Sequence, residues 1–428
     1  MDERGRKGAG RRRAGTKGAH GRHPDRKARG AGGQTPGMNG PRMKKSRRAK
    51  RQRGNMILRI LIVAALIIAA AGIVAAWYRY GSSNERADLE QYYGIGADDE
   101  FAVVIDNEVV GAESETSDGQ ESPVPGRIFD GEYYIEYSVV RDQINKRFYW
   151  DPNEKVMLYT LPGGNVTVQA DSSEYTEISE SKSEDYVILK TEGSTAYIAL
   201  PFIQAYTNME YSVYDAPNRA VITSEWGEIE TALIRHDTQV RYRGGVKSPI
   251  LKEVSKSDKV TVLEDEDDWM KVATEDGVIG YVKTNALKNR KTETISREFE
   301  EPVYTNISKD QTINLAWHNV SNADANNYVS QMLAETKGLT TIAPTWFSIA
   351  DTEGNMTSLG SADYVSYAHQ SGLEVWAVLR DFHGGINSYD ETYEVLSYTS
   401  RRTRLIDQVI AAAQELGVDG INLDFELI

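Results

Sequence analysis

The residues best placed to do chemistry lie at the C-terminal end, where Asp419, Asn422, Asp424 and Glu426 fall within the run DGINLDFEL. In a β-strand successive side chains point to opposite faces. Asn422, Asp424 and Glu426 then share one face, and Ile421, Leu423 and Phe425 share the other. The apolar face is suited to packing under helices. Carboxylates on the opposite, inward face are costly to bury unless a function uses them. An Asp and a Glu two residues apart on one face are residue types able to move protons. The sequence has no cysteine, which excludes disulfides, thiolate metal sites and Cys nucleophiles. His20, His23, His236, His318, His369 and His383 are scattered without ligand-like spacing. No metal and no cofactor are therefore expected.

The elements that must position this strand precede it in β/α order. Thr312–Trp317, Thr340–Phe347 and Leu373–Leu379 read as buried strands. Ala323–Thr336, Ala362–Ser371 (after a Ser361 cap) and Arg401–Leu416 read as helices between them, with Asp419–Leu427 as the fourth strand. Such alternation predicts a parallel sheet, with a barrel as the leading arrangement. Active sites in that fold form at the C-terminal ends of the strands. Trp317, Trp346 and Trp376 lie near the ends of the first three strands, where they are candidates for stacking on a substrate. Core packing is the competing role for each.

The run resembles the signature D-x-x-D-x-D-x-E of family 18 glycoside hydrolases. Asp419 holds its first position, Asn422 the second, Asp424 the third and Glu426 the last. Asn422 departs from the Asp of many chitinases; it can hydrogen-bond Asp424 but cannot share a proton with it. The resemblance implies substrate-assisted retaining hydrolysis of a glycan bearing N-acetyl groups. Glu426 would be the general acid and base, with its pKa raised by burial and a neighbouring carboxylate, and Asp424 would orient the 2-acetamido group. A (β/α)8 barrel needs about 250 residues, so residues 303–428 would be its N-terminal half. On that reading this stretch of chain alone is expected to be inactive.

The middle of the chain carries other modules. Residues 81–125 are acidic and Ser/Gly-rich, and read as a linker or stalk, although Phe101–Val110 has a strand pattern. Over 126–226 a pattern recurs: Tyr134-Ile135, Val139-Val140, Asn145, Asp151 and Val156 return as Tyr197-Ile198, Phe202-Ile203, Asn208, Asp215 and Ala220. Each copy reads as strand, short helix and strand pair through a Pro-Asn turn. The pattern resembles the copper amine oxidase N-terminal-like stalk domains of bacterial surface proteins. Residues 230–288 resemble a bacterial SH3-like domain, carried by Ser248-Pro249-Ile250-Leu251, Asp258–Leu263, Trp269–Val272 and Gly280-Tyr281-Val282. Short alternating strands with polar turns suit a small barrel, and the resemblance implies a wall-targeting module. Lys288–Pro302 reads as a charged linker.

The N-terminal region sets the location. Residues 56–78 are apolar apart from Arg59, and a membrane-spanning helix needs about 20 such residues. Trp77, Tyr78 and Tyr80 suit an interfacial belt, and the basic flank Lys44–Arg53 keeps the N-terminus cytoplasmic. Residues 1–53 carry 19 Lys+Arg against Asp2, Glu3 and Asp25, a net of +16; the chain totals −14, so the remainder carries −30. The tail is expected to be disordered, serving topology and anionic lipid rather than nucleic acid. The fold class expected is thus multidomain: a transmembrane helix, α+β stalk repeats, an SH3-like β-barrel and half of a TIM barrel. The expected function is a membrane-anchored glycosidase of a Gram-positive type envelope, acting on peptidoglycan. A chitinase and a non-catalytic wall-binding scaffold are the alternatives.

Overall fold

The structure, a computed structural model, describes residues 47–111 and 124–428. The basic tail expected over 1–53 lies outside the described residues up to position 46, as do residues 112–123 of the acidic segment. The chain divides into two units, residues up to Trp77 and Tyr78–Ile428. Helix α1 (Arg47–Tyr80) contains a stretch, Met56–Tyr80, long and apolar enough to cross a membrane, with a mean hydropathy of 2.8.

Beyond the helix the protein is multidomain and mostly β. The strand Glu100–Ile105 corrects the expectation of a stalk over 81–125. It lies inside an eight-stranded sheet, between Gly126–Phe129 and Arg219–Thr223, and runs parallel to the latter (Ala102↔Arg219 to Ile105↔Ile222). The run FAVVI is apolar on both faces because both are covered. Phe101, Val103 and Ile105 enter the core of the repeat region, while Ala102 and Val104 meet Tyr93, Ala273 and Ile279 on the other side.

The two copies of the repeated pattern are both strand, short helix and hairpin. Their matching strands pair with each other antiparallel, Ile135 opposite Ile198. Copy one continues into a five-stranded sheet over 148–183, whereas the copy-two hairpin, Glu210–Tyr214 with Arg219–Thr223, completes the eight-stranded sheet.

A seven-stranded antiparallel sheet follows, in the order Ile250–Val254, Thr238–Arg241, Ile279–Lys283, Trp269–Thr274, Lys259–Glu266, Gly227–Ile234, Leu287–Ile295. Its core is aliphatic, with Ile234, Val240, Leu251, Val272 and Val282 buried. Gly280 is required by close approach, since a Cβ there would sit 2.5 Å from the Arg241 carbonyl oxygen. The first part of the linker expected over Lys288–Pro302 is instead the outer strand of this sheet, Leu287–Ile295, paired with Gly227–Ile234 over nearly its whole length.

The C-terminal region places β1 (Leu315–His318), β2 (Thr341–Pro344), β5 (Glu374–Arg380) and β6 (Gly420–Asp424) side by side, all parallel. Between β2 and β5 in the chain come β3 (Phe347–Ile349), which pairs with the upper half of β5, and its hairpin partner β4 (Met356–Ser358). After the short α2 (Leu89–Tyr93) further back in the chain, the helices here are α3 (Val329–Glu335), α4 (Ala362–Gln370), α5 (Tyr389–Leu396) and α6 (Thr399–Leu416). Ile342, Val375, Ala377 and Leu379 pack under Tyr364, Val365, Ala368, Leu405 and Val409.

Helix α6 leads into β6, and its own sequence supplies no side-chain cap. The cap comes from copy one of the repeat. Fully buried Asp151 accepts the Thr399 N–H and hydroxyl at 2.7 Å each, and Glu154 accepts the Ser400 N–H at 2.7 Å. Two carboxylates thus satisfy orphan donors at the positive end of the helix dipole. Replacing Asp151 by Ala should destabilise the C-terminal domain by about 1–2 kcal/mol, read as a lower urea midpoint in tryptophan fluorescence. An unchanged midpoint would remove this cap from the account.

Candidate active site

The connections decide which end of the sheet matters. β5 leaves the sheet at Arg380, and α6 runs back to begin β6 at Gly420. Asp424, at the end of β6, is therefore level with Arg380 at the end of β5. Asn422 and Asp424 share one face of β6, as the alternation predicts. Ile421 and Phe425 pack against the helix-side core, but Leu423 is 66% exposed, contrary to expectation. Within the sheet β6 pairs with β5 alone, so its outer face is only partly covered.

The Trp317 indole N–H donates to Asn422 Oδ1 at 3.1 Å. These residues belong to β1 and β6, three strand spacings apart. In a flat sheet that is about 14 Å, beyond the reach of an indole and an amide, so the sheet is rolled toward this face. Asn422 is therefore held by Trp317 in this structure rather than by Asp424. Trp317 is itself exposed and stands on the concave face with Asn422.

Two residues that the sequence reading missed complete the site. Arg380 is buried, is the register partner of Asp424 and donates from Nε to the Ser348 hydroxyl at 3.0 Å. Burial pushes its guanidinium below the usual range, and the Asp424 charge acts against that. Asp381 is fully buried. Its Oδ1 accepts the Glu426 N–H and its Oδ2 the Leu427 N–H, both at 2.9 Å, and Oδ2 also accepts the Thr392 hydroxyl of α5 at 3.2 Å. Asp381 thus fixes the backbone that presents Glu426. The signal was available in Leu379-Arg380-Asp381, two charges directly after a buried apolar strand.

The remaining expected residues are not gathered here. Asp419 lies at the start of β6, about 16 Å of strand below Asp424. Its Oδ2 accepts the Val375 N–H and meets His369 Nε2, both at 2.8 Å, so it ties α4 to the bottom of β5. Trp376 is level with Gly420 at that same lower end and donates to Glu374 at 3.0 Å. Trp346 is buried in the helix-side core and donates to Asn326 at 2.8 Å. A tight turn between β2 and β3, with the Trp346 N–H on the Pro344 carbonyl, rotates the indole off the strand face. Glu426 lies past the end of β6 and its side chain is exposed, so the burial expected around it is lacking. Among the described residues no cluster of His, Asp or Glu is arranged to hold a metal ion.

Comparison with known proteins gives one family match and several likenesses to solved structures. Residues 237–288 match the family described as bacterial SH3 domain. Part of the chain is similar to solved chitinases and spore cortex-lytic enzymes. The Bacillus cereus spore cortex-lytic enzyme SleL is 20% identical, with 32% of this chain and 32% of that chain covered and a TM-score of 0.25. A chitinase from Chromobacterium violaceum is 22% identical over 27% of this chain and 36% of that one, with a TM-score of 0.22. The Bacillus megaterium SleL is 16% identical over 31% and 32%, with a TM-score of 0.23. The chain spans about a third of the length of the solved structures it matches. No curated protein matches it.

One titration follows from the geometry. His318, at the end of β1, is buried with Nδ1 3.0 Å from the Tyr364 hydroxyl, and desolvation lowers its pKa. The unfolded chain therefore binds a proton at His318 more readily than the folded one. The contribution is full above the unfolded pKa of about 6.5 and is lost as pH falls below it. The domain's unfolding midpoint should drop between pH 7 and 5, and less steeply in His318→Phe. Equal slopes would assign the pH dependence elsewhere.

Proposed function

We propose that the protein is a membrane-anchored glycoside hydrolase of family 18 acting on the N-acetylated glycan of peptidoglycan. In this reading residues 303–428 supply the first four strands of a (β/α)8 barrel, and α1 is a signal-anchor that leaves the following domains outside the cell. The supporting observation is the end of β6. Asp424 stands on the concave face beside Arg380, and Glu426 follows on a backbone clamped by Asp381.

The resemblance implies the steps. Glu426 gives its proton to the glycosidic oxygen as the bond to the anomeric carbon breaks. The substrate's own acetamido oxygen attacks that carbon and closes an oxazolinium ring, oriented by Asp424. Water then loses a proton to the Glu426 carboxylate and adds to the anomeric carbon, reopening the ring with net retention. The exposed Trp317 offers an aromatic face to a sugar ring from the opposite side of the concave surface. Buried Arg380 supplies the positive partner that a carboxylate in a partly enclosed site requires.

The test uses the whole protein on purified peptidoglycan and on chitin. Release of reducing ends from wall, reduced at least about 100-fold in Glu426→Gln, supports the proposal. Release from chitin alone makes the protein a chitinase. Binding of either glycan without release, unchanged in Glu426→Gln, makes it a non-catalytic binder. A thiazoline analogue of the oxazolinium ion gives a readout independent of turnover. It should bind the wild type at least about tenfold more tightly than Asp424→Asn, and equal binding would argue against substrate assistance.

A further inference from the structure

The SH3-like domain holds a peptide already, and the peptide is the chain's own. Ile250–Val254 is an edge strand of the seven-stranded sheet. Residues 83–87 run alongside it. The Ala87 N–H donates to the Ile250 carbonyl and the Ile250 N–H to the Glu85 carbonyl, both at 2.8 Å, closing a parallel bridge at Arg86. A few residues earlier the Ser83 N–H donates to the Val246 carbonyl at 2.7 Å, and buried Arg241 donates to the Ser83 carbonyl at 3.0 Å. Arg86 pairs with Glu253 at 2.6 Å.

Helix α2 then lays two aromatic anchors on the same domain. Leu89 and Tyr92 pack against its core, and the Tyr92 hydroxyl donates to the Ile279 carbonyl at 2.8 Å. Tyr93 is 3% exposed and donates to the Gly277 carbonyl at 2.9 Å. Main-chain pairing to an open sheet edge, with side chains seated in adjoining pockets, is how β-augmentation binds a peptide. A five-residue helix such as α2 does not hold itself together in water; its order comes from the surface it rests on.

We propose that this face of the SH3-like domain is a peptide-binding site occupied in cis by residues 83–93, and that the segment exchanges with peptides of the same chemistry. That chemistry is an extended stretch of small and charged residues followed by Leu and a Tyr pair. The segment is tethered on its C-terminal side to the strand starting at Glu100 by a few residues, which sets an effective concentration of about 1 mM. For a segment whose intrinsic Kd is about 10 μM, the site is then free about 1% of the time, and the apparent Kd of an outside peptide rises about 100-fold. The wall-targeting role implied by the SH3 resemblance is consequently shut off at this face while the segment is seated.

The experiment uses the full chain in detergent micelles and a fluorescent synthetic peptide of residues 82–95. Wild type is compared with a chain in which residues 83–93 are replaced by a Gly-Ser stretch of equal length. The replaced chain should bind one peptide per molecule, at least about tenfold more tightly than wild type. A peptide carrying Tyr92→Ala should lose most of that binding. Equal binding by both chains, or none by a replaced chain whose sheet remains folded, overturns the proposal. Where the replaced chain fails to fold, amide exchange in wild type decides. Ala87 and Ile250 should exchange together, at least about tenfold faster than Val272 in the core of the sheet. Exchange at the Val272 rate would show a segment welded to the domain, and would overturn exchange as well. Purified muropeptides, added to the replaced chain in competition, should displace the peptide less effectively than unlabelled peptide does; the reverse result would make the site a wall receptor rather than a receptor for this segment.

Discussion

The candidate site depends on a buried carboxylate whose oxygens are taken up by donors of the chain itself. Asp381 is taken wholly out of water, and an unpartnered charge in that position would cost several kcal/mol. Its partners are two successive backbone N–H groups and a hydroxyl. Those donors come from the segment after β6 and from α5, so satisfying the charge fixes both. Because the bonds run to backbone rather than side chain, the identity of residues 426 and 427 is left free while their position is not. Such an arrangement lets an exposed Glu426 be aimed without being packed.

The domains of Tyr78–Ile428 are joined by similarly specific polar contacts. The two turns of the repeat do this twice over. Asp151 and Glu154 in the first cap helix α6. In the second, buried Arg219 donates to the Asp276 carbonyl at 2.5 Å and its carboxylate at 2.6 Å, where Lys252 also pairs. Burial of Asp276 works against its charge, and the lysine, a Thr274 hydroxyl and the arginine outweigh it, holding its pKa below the usual range. Equivalent loops of one sequence pattern therefore serve as joints to different neighbours. What reads as a spacer acts as the frame for the modules on either side.

Much of this was legible in the sequence for a physical reason. The strand period of two put Asn422 and Asp424 on one face, and burial on one side of β5 and β6 enforced it. The β/α order followed from helical and strand periodicities separated by turns, and the SH3-like strands from alternation. Long-range pairing was not legible. Phe101–Val110 carried a strand pattern, but nothing local says that its partner is Arg219–Thr223, more than a hundred residues on. Nor does spacing reveal height along a strand. Asp419 and Trp376 belong to the right elements but to their lower ends, and one tight turn after Pro344 moved Trp346 from the sheet face into the core.

The two missed residues and Asp151, whose capping role the repeat pattern did not reveal, share one property. Arg380, Asp381 and Asp151 are all buried and charged, and each acts on an element far from it in the chain. Charge that ends a buried apolar strand is uncommon; it occurs at the end of β5, and β6, adjacent and parallel, ends on a charge at the same level. The two strand ends then explain one another. Arg380 faces Asp424 across the sheet, and Asp381 reaches past it to the backbone of Glu426. Acidic residues at the end of β6 would be a liability on an isolated strand; with Arg380 and Asp381 beside them they become a constrained pair, open on one side to the concave face where Trp317 stands.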